Sequence, residues 1–187
     1  MLFRSAAEDA HTALAFLRDT ANVAKYRIDT ANIVVAGHSM GGFMAADAAA
    51  DDAKVAGLFL IDPWDIGATA AAIQTPDGLK WWKEEAQSDL PPLAGTSYDA
   101  LTSEITGNAE RFDLRSRVIA FGNRPMAVVG AERGIGEPVR AVAAAAQSVA
   151  PSTVVAIMPT DHSFSDKRIA LADMLLRFLD RVAPPIH

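Results

Sequence analysis

Residues 32–42 read Asn-Ile-Val-Val-Ala-Gly-His-Ser-Met-Gly-Gly, an apolar run that stops abruptly at G-x-S-x-G. The run has the length of a buried strand, and the small-residue segment that follows, residues 40–50, has the composition of a helix packed closely on a sheet. A strand that becomes a helix within so few residues forces the serine between them onto a tight turn. Gly37 and Gly41, on either side, are expected to leave room for that strained backbone. Such a turn is a nucleophile elbow, with Ser39 at the carboxyl end of its strand. The five-residue pattern is weak evidence by itself, and the strand and helix around it give it meaning.

The rest of the chain repeats the same alternation. Ser5-Ala6-Ala7-Glu8 has capping-box spacing, and Ala10, Leu14 and Leu17 then share one face of a helix ending near Ala21. Strands are expected at 33–36, 55–61, 125–130 and 153–158, all apolar throughout rather than alternating, as parallel strands covered on both faces should be. Helices are expected at 40–50, 137–149 and about 165–182. The last of these should bury Ile169, Ala172, Leu175, Leu176 and Leu179. The 187 residues therefore read as one α/β domain spanning 1–187, with four parallel strands and helical crossovers.

Residues 63–124 break this rhythm, being far too long for a simple crossover. They hold Trp64, Trp81 and Trp82 and a Pro91-Pro92 break, with short helices expected at about 79–87, 98–105 and 109–121. Long excursions of this kind often cover a site, so 63–124 is read as a cap insertion. Trp81 and Trp82 are expected to pack within it, with the lining of a substrate tunnel as the other option.

Composition narrows the function classes. A net charge of −6, with 17 basic residues spread along the sequence, does not make a nucleic-acid footprint. No apolar run approaches the roughly 18 residues of a membrane span, and the first residues carry acids where a signal peptide would be hydrophobic. With no cysteine there is neither a disulfide nor a thiolate metal ligand nor a cysteine nucleophile.

A serine hydroxyl is a poor nucleophile until a neighbouring imidazole takes its proton. The candidate bases are His11, His38, His162 and His187. His11 lies on the first helix, His38 adjoins the serine and should point away from it, and His187 ends the chain. His162 follows the last strand in Pro159-Thr160-Asp161-His162-Ser163-Phe164, which puts it on the same rim of the sheet as Ser39.

A glycine-framed Ser39 after a strand, a long excursion, and Asp161-His162 before the last helix together resemble the α/β-hydrolase superfamily over essentially the whole chain. The Gly-His-Ser-Met-Gly-Gly run and Pro63-Trp64 resemble polyester-degrading cutinase-type hydrolases and dienelactone-hydrolase-like esterases in particular. The resemblance implies that the four strands are the fifth to eighth of that fold. It also implies acyl transfer from a small-molecule ester to water through an acyl-serine, with no metal or organic cofactor. The Met40 backbone N–H would serve as an oxyanion donor, and Trp64, Phe43 and His38 would lie near the substrate.

The third member of the triad departs from the cutinase pattern. In such relatives an aspartate follows the seventh strand in a segment resembling residues 130–138, and here Gly134 stands where it should be. Asp62, at the carboxyl end of the second strand in Leu-Ile-Asp-Pro-Trp, matches the acid placement of the platelet-activating-factor acetylhydrolases and is the first choice. Glu132 is the alternative. Asp65 is expected to be a cap residue and Asp161 a turn residue.

The superfamily sheet normally starts with four further strands, and the loop after the third supplies the second oxyanion donor. This chain opens on the helix before the fifth. The outer edge of strand 33–36 should therefore be unpaired unless an N-terminal segment or a second copy in a homodimer covers it. As a truncated chain it should have impaired activity. A different class of function, a non-catalytic binding or dimerisation module with the same fold, also fits.

Overall fold

The computed structural model describes residues 2–91 and 93–183, so that Pro92 and His187 fall outside the described residues. Its elements in chain order are α1 (Leu2–Arg18), α2 (Thr20–Tyr26), β1 (Val34–His38), α3 (Met40–Ala50), β2 (Gly57–Ile61), α4 (Ile66–Ala72), α5 (Pro76–Asp89), α6 (Tyr98–Gly107), α7 (Leu114–Phe121), β3 (Met126–Arg133), α8 (Glu137–Val149), β4 (Val154–Asp161) and α9 (Arg168–Val182). The four strands form one sheet in the order β1-β2-β3-β4, with every neighbouring pair parallel. Among the described residues, four parallel strands flanked by nine helices thus make up the α/β domain.

Alternate residues of the strands enter two different cores, as a pleated strand requires. Leu58, Leu60, Met126 and Val128 join a large core with residues of α1, α3, α7 and α8, including Phe3, Phe43, Val118 and Val142. Phe59, Ala127 and Val129 join a smaller one with Phe164 and Phe178. Phe59 and Phe178 meet edge to face, with centroids 5.5 Å apart. This second core rests on α9 through Phe178, Leu171, Met174, Leu175 and Val182.

The buried face of α9 differs from the sequence expectation. Ile169 is 89 % exposed and Leu176 61 % exposed, and Ala172 is exposed too. The helix carries two apolar stripes of similar spacing, and the one containing Phe178 turns inward because its large ring fills the space against Phe59. Helix α1 also differs. It begins at Leu2, so that Ser5 lies inside it and no capping box forms. One of its first N–H groups, on Arg4, instead donates to the buried Glu104 Oε1 of α6 at 3.0 Å. The helix ends at Arg18 because Asp19 starts α2, accepting hydrogen bonds from Ala21 N and Asn22 N.

Within 63–124, α4 was not anticipated; Asp65 caps it through Ala68 N. Helix α7 starts at Leu114 rather than 109, with Asp113 as its N-cap, and packs on α3 and α8 as a crossover helix does. Trp82 is buried and donates to Thr102 Oγ1 at 2.8 Å, whereas Trp81 is 44 % exposed. Among the described residues no helix is long and apolar enough to cross a membrane.

Two charged groups tie the layers together. Asp47, buried on α3, pairs with Arg117 Nε of α7 at 3.0 Å and His11 Nε2 of α1 at 3.4 Å. Arg124 donates to the carbonyls of Ala49, Asp52, Val55 and Phe121 at 2.8–3.2 Å, and its guanidinium lies 3.7 Å over the Phe121 ring. It thereby takes up acceptors at the carboxyl end of α3 and the entry to β2 that a helix end leaves open. Replacing Arg124 with Met strands those carbonyls and is expected to lower the unfolding free energy by about 2–3 kcal/mol in urea denaturation.

Candidate active site

Ser39 joins β1 to α3 with φ 55° and ψ −124°, a backbone conformation that costs a non-glycine residue energy. Its neighbours hold it there. Ser39 N donates to Ile61 O at 3.0 Å, and Ser39 O accepts from Gly42 N and Trp64 N, both at 2.9 Å. At Gly37 a Cβ would lie 2.0 Å from the Gly41 carbonyl oxygen, so only glycine fits. The expectation for Gly41 is corrected: a Cβ there would meet open space. The second close approach belongs to Gly42, whose Cβ would lie 2.7 Å from Pro63 Cβ.

Strand register sets Asp62 beside Ser39. His38 pairs with Ile61 across β1 and β2, so the next residues, Ser39 and Asp62, leave the sheet side by side. Asp62 also has a positive φ, 39°, and is fully buried. Its Oδ1 accepts from Ala131 N at 3.1 Å, and its Oδ2 accepts from Ile135 N at 3.1 Å and from His162 Nδ1 at 2.6 Å. Burial pushes this carboxyl upward, but the His162 bond and the two backbone donors outweigh it and hold the group below its usual value. Because the carboxylate can only accept, His162 carries a proton on Nδ1, and in the neutral ring Nε2 is then the bare nitrogen.

Gly134 leaves room for the Asp62 carboxylate. A Cβ at Gly134 would lie 1.9 Å from Asp62 Oδ2. The Asp62 carboxylate therefore occupies the space that a side chain at 134 would need, and the register shift between Ala131 and Arg133 opens β3 around it. Glu132, the alternative acid, is exposed, and no contact joins it to His162 among the described residues.

His162 sits on a braced loop. Asp161 Oδ1 accepts from Ser165 N at 2.9 Å, a turn role as expected, and Thr160 bonds Asp166. Phe164, at φ 52°, is buried in the smaller core. His38 donates from Nε2 to the His162 carbonyl at 2.8 Å, and the two imidazoles lie 4.4 Å apart.

Ser39 and His162 line one cavity of about 510 Å³ together with Trp64, Trp81, Ala68 and Ile135. Arg133 and Glu85 lie on its wall, as does Asp65, which burial pushes upward in pKa. Of the residues expected near a substrate, Trp64 lines the cavity, donating from Nε1 to Thr69 Oγ1 at 2.7 Å. Phe43 does not; it is fully buried, edge to face with Phe112 at 5.6 Å. Nor does His38 line it. The Met40 N–H opens α3, where first-turn donors lack an intrahelical acceptor. Among the described residues Ser39 Oγ has no hydrogen-bond partner, a looseness common in ligand-free sites. The sequence reading missed the bracing by His38, and the adjacency of a histidine to the elbow serine was its only signal.

Two outcomes follow from the carboxylate. Asp62 has a lower pKa folded than unfolded, so it stabilises the fold fully above pH ~4, the ordinary carboxylate value, and ceases to as pH falls through its depressed folded value. In urea titrations at stepped pH, Asp62→Asn is expected to lose this dependence, so its stability gap to wild type closes in acid. Gly134→Ala forces Asp62 or the 131–135 turn to move and is expected to cost about 1–3 kcal/mol by the same measurement.

The sequence matches the family described as alpha/beta hydrolase fold over residues 2–164. No curated protein matches it. Among solved structures, the chain is similar to the esterase of Pyrococcus furiosus at 17 % identity and TM-score 0.61, over 92 % of this chain and 60 % of that one. It is similar to an alpha/beta hydrolase from Penicillium sp. sh18 at 18 % identity and TM-score 0.63, over 97 % and 73 %. Acetyl xylan esterase 1 from Thermoanaerobacterium sp. gives 14 % and 0.61, over 98 % and 54 %. At these identities the likeness is one of fold, and the chain spans 60 % of the length of the Pyrococcus esterase. By its family match and its four-stranded parallel sheet, the chain belongs to the alpha/beta-hydrolase fold family.

Proposed function

We propose that the chain is a serine ester hydrolase in which Ser39, His162 and Asp62 form the triad. The observation that carries this reading is the 2.6 Å bond from His162 Nδ1 to the buried Asp62, on a histidine that shares its cavity with Ser39. Ser39 Oγ attacks the acyl carbon of an ester and gives its proton to His162 Nε2. Asp62 keeps the imidazole in the Nδ1–H tautomer and stabilises the imidazolium. His162 passes the proton to the leaving alcohol as the C–O bond breaks, giving an acyl-serine. A water molecule then loses a proton to His162 as it attacks the acyl carbon; the bond from that carbon to Ser39 Oγ breaks, His162 returns the proton to Oγ, and the acid leaves.

The Met40 N–H, at the start of α3, is the proposed donor to the oxyanion. Removing one donor of such a hole typically costs about 10²–10³ in rate. We read α4, α5 and α6 as the cap, with Trp64 and Trp81 against the substrate. The free outer edge of β1, whose Ala36 is exposed, supports a further expectation, that a second copy or an additional N-terminal strand pairs there. The same free edge favours the second reading, a non-catalytic dimerisation module.

Fluorophosphonate labelling separates the two. The wild type is expected to label and Ser39→Ala to remain unlabelled while folding normally. Asp62→Asn should lower kcat by about 10⁴, because the histidine adopts the wrong tautomer. A folded wild type that never labels would favour the module.

A further inference from the structure

The geometry points to His38 as a positioning residue for His162, fixing the backbone of the base while Asp62 fixes its ring. This inference rests on the triad reading above. His38 is the last residue of β1 and directly precedes Ser39. Its Nε2 lies 2.8 Å from the His162 carbonyl oxygen, which can only accept, so His38 Nε2 carries a proton and donates it. The two rings lie 4.4 Å apart at 36°, and the edge of Phe164 approaches the His38 ring at 6.5 Å.

His162 is consequently held at two points from two strands. The end of β2 supplies Asp62 to the ring, and the end of β1 supplies His38 to the backbone. The strand end that carries the nucleophile also carries the clamp on its base, so any drift of β1 moves Ser39 and His162 together. Without that hydrogen bond, only the ring contacts of His38 with His162 and Phe164 tie the loop to the rim of β1 among the described contacts, whereas Asp62 still orients the imidazole. The distance from Nε2 to the serine then wanders while the tautomer stays correct. A displacement of about 1 Å in such a pair costs about 10²-fold in rate.

The test compares His38→Ala, His38→Phe and His38→Gln, using hydrolysis of p-nitrophenyl acetate, fluorophosphonate labelling rate and Tm. His38→Gln keeps an N–H donor at similar reach, whereas His38→Phe keeps an aromatic face and loses the donor. The expected result is a fall in kcat of about 10–100-fold for the Ala and Phe variants with KM unchanged, recovered in the Gln variant. Parallel losses are expected in the labelling rate. Should His38→Ala unfold, His38→Phe against His38→Gln makes the same comparison. An active wild type whose Phe variant keeps full kcat would overturn the positioning role and leave the triad standing. A rise in KM at constant kcat would overturn it too, placing His38 against substrate instead. A folded wild type that neither hydrolyses nor labels would overturn the triad reading and this inference with it.

Discussion

A fully buried carboxylate, that of Asp62, sets the terms for the whole carboxyl edge of the sheet. Removed from water it would be costly without donors, and it finds three: the N–H groups of Ala131 and Ile135 and the ring of His162. The turn over 131–135 supplies two of these donors, beside the register shift in β3, and Gly134 leaves free the space that the carboxylate fills.

Strand pairing carries this constraint to Ser39. The pairing of His38 with Ile61 makes Ser39 and Asp62 neighbours, and both have the positive φ that ordinary residues avoid. Hydrogen bonds between the strand ends, from Ser39 N to Ile61 O and from Trp64 N to Ser39 O, keep the strained pair in place. The sheet below them gives rigidity through tightly packed Phe, Leu and Val side chains. Helices α4 and α5 contribute part of the cavity wall. Strain at Ser39 is thus supported from several sides, as a precisely aimed hydroxyl requires.

How much of this was legible in the sequence varies with the kind of signal. The bounds of α3 and α8 came through intact, because small-residue runs flanked by strands have few alternatives. Strand ends and loop position single out Ser39, His162 and Asp62 as candidates, and the structure brings Asp62 and His162 into contact. Residue 41 was credited with the close approach that belongs to Gly42, since a motif names glycines without saying which backbone comes near. Ser5 looked like a cap but lies inside α1, where Glu104, a hundred residues away, does the capping. The buried stripe of α9 was misassigned because two stripes have similar spacing and only the partner ring, Phe59, chooses between them. Phe43 and His38 were placed near substrate, whereas one is core and the other braces the loop of the base. Long-range contacts of this kind leave no local trace.

The protonation state of the His162 ring bears most directly on the claim that Asp62 orients the base toward Ser39. Nitrogen-15 NMR of imidazole-labelled protein at neutral pH would read it. The account predicts a proton on Nδ1, bonded to Asp62, and a bare Nε2. A neutral ring protonated on Nε2, with Nδ1 bare, would contradict it.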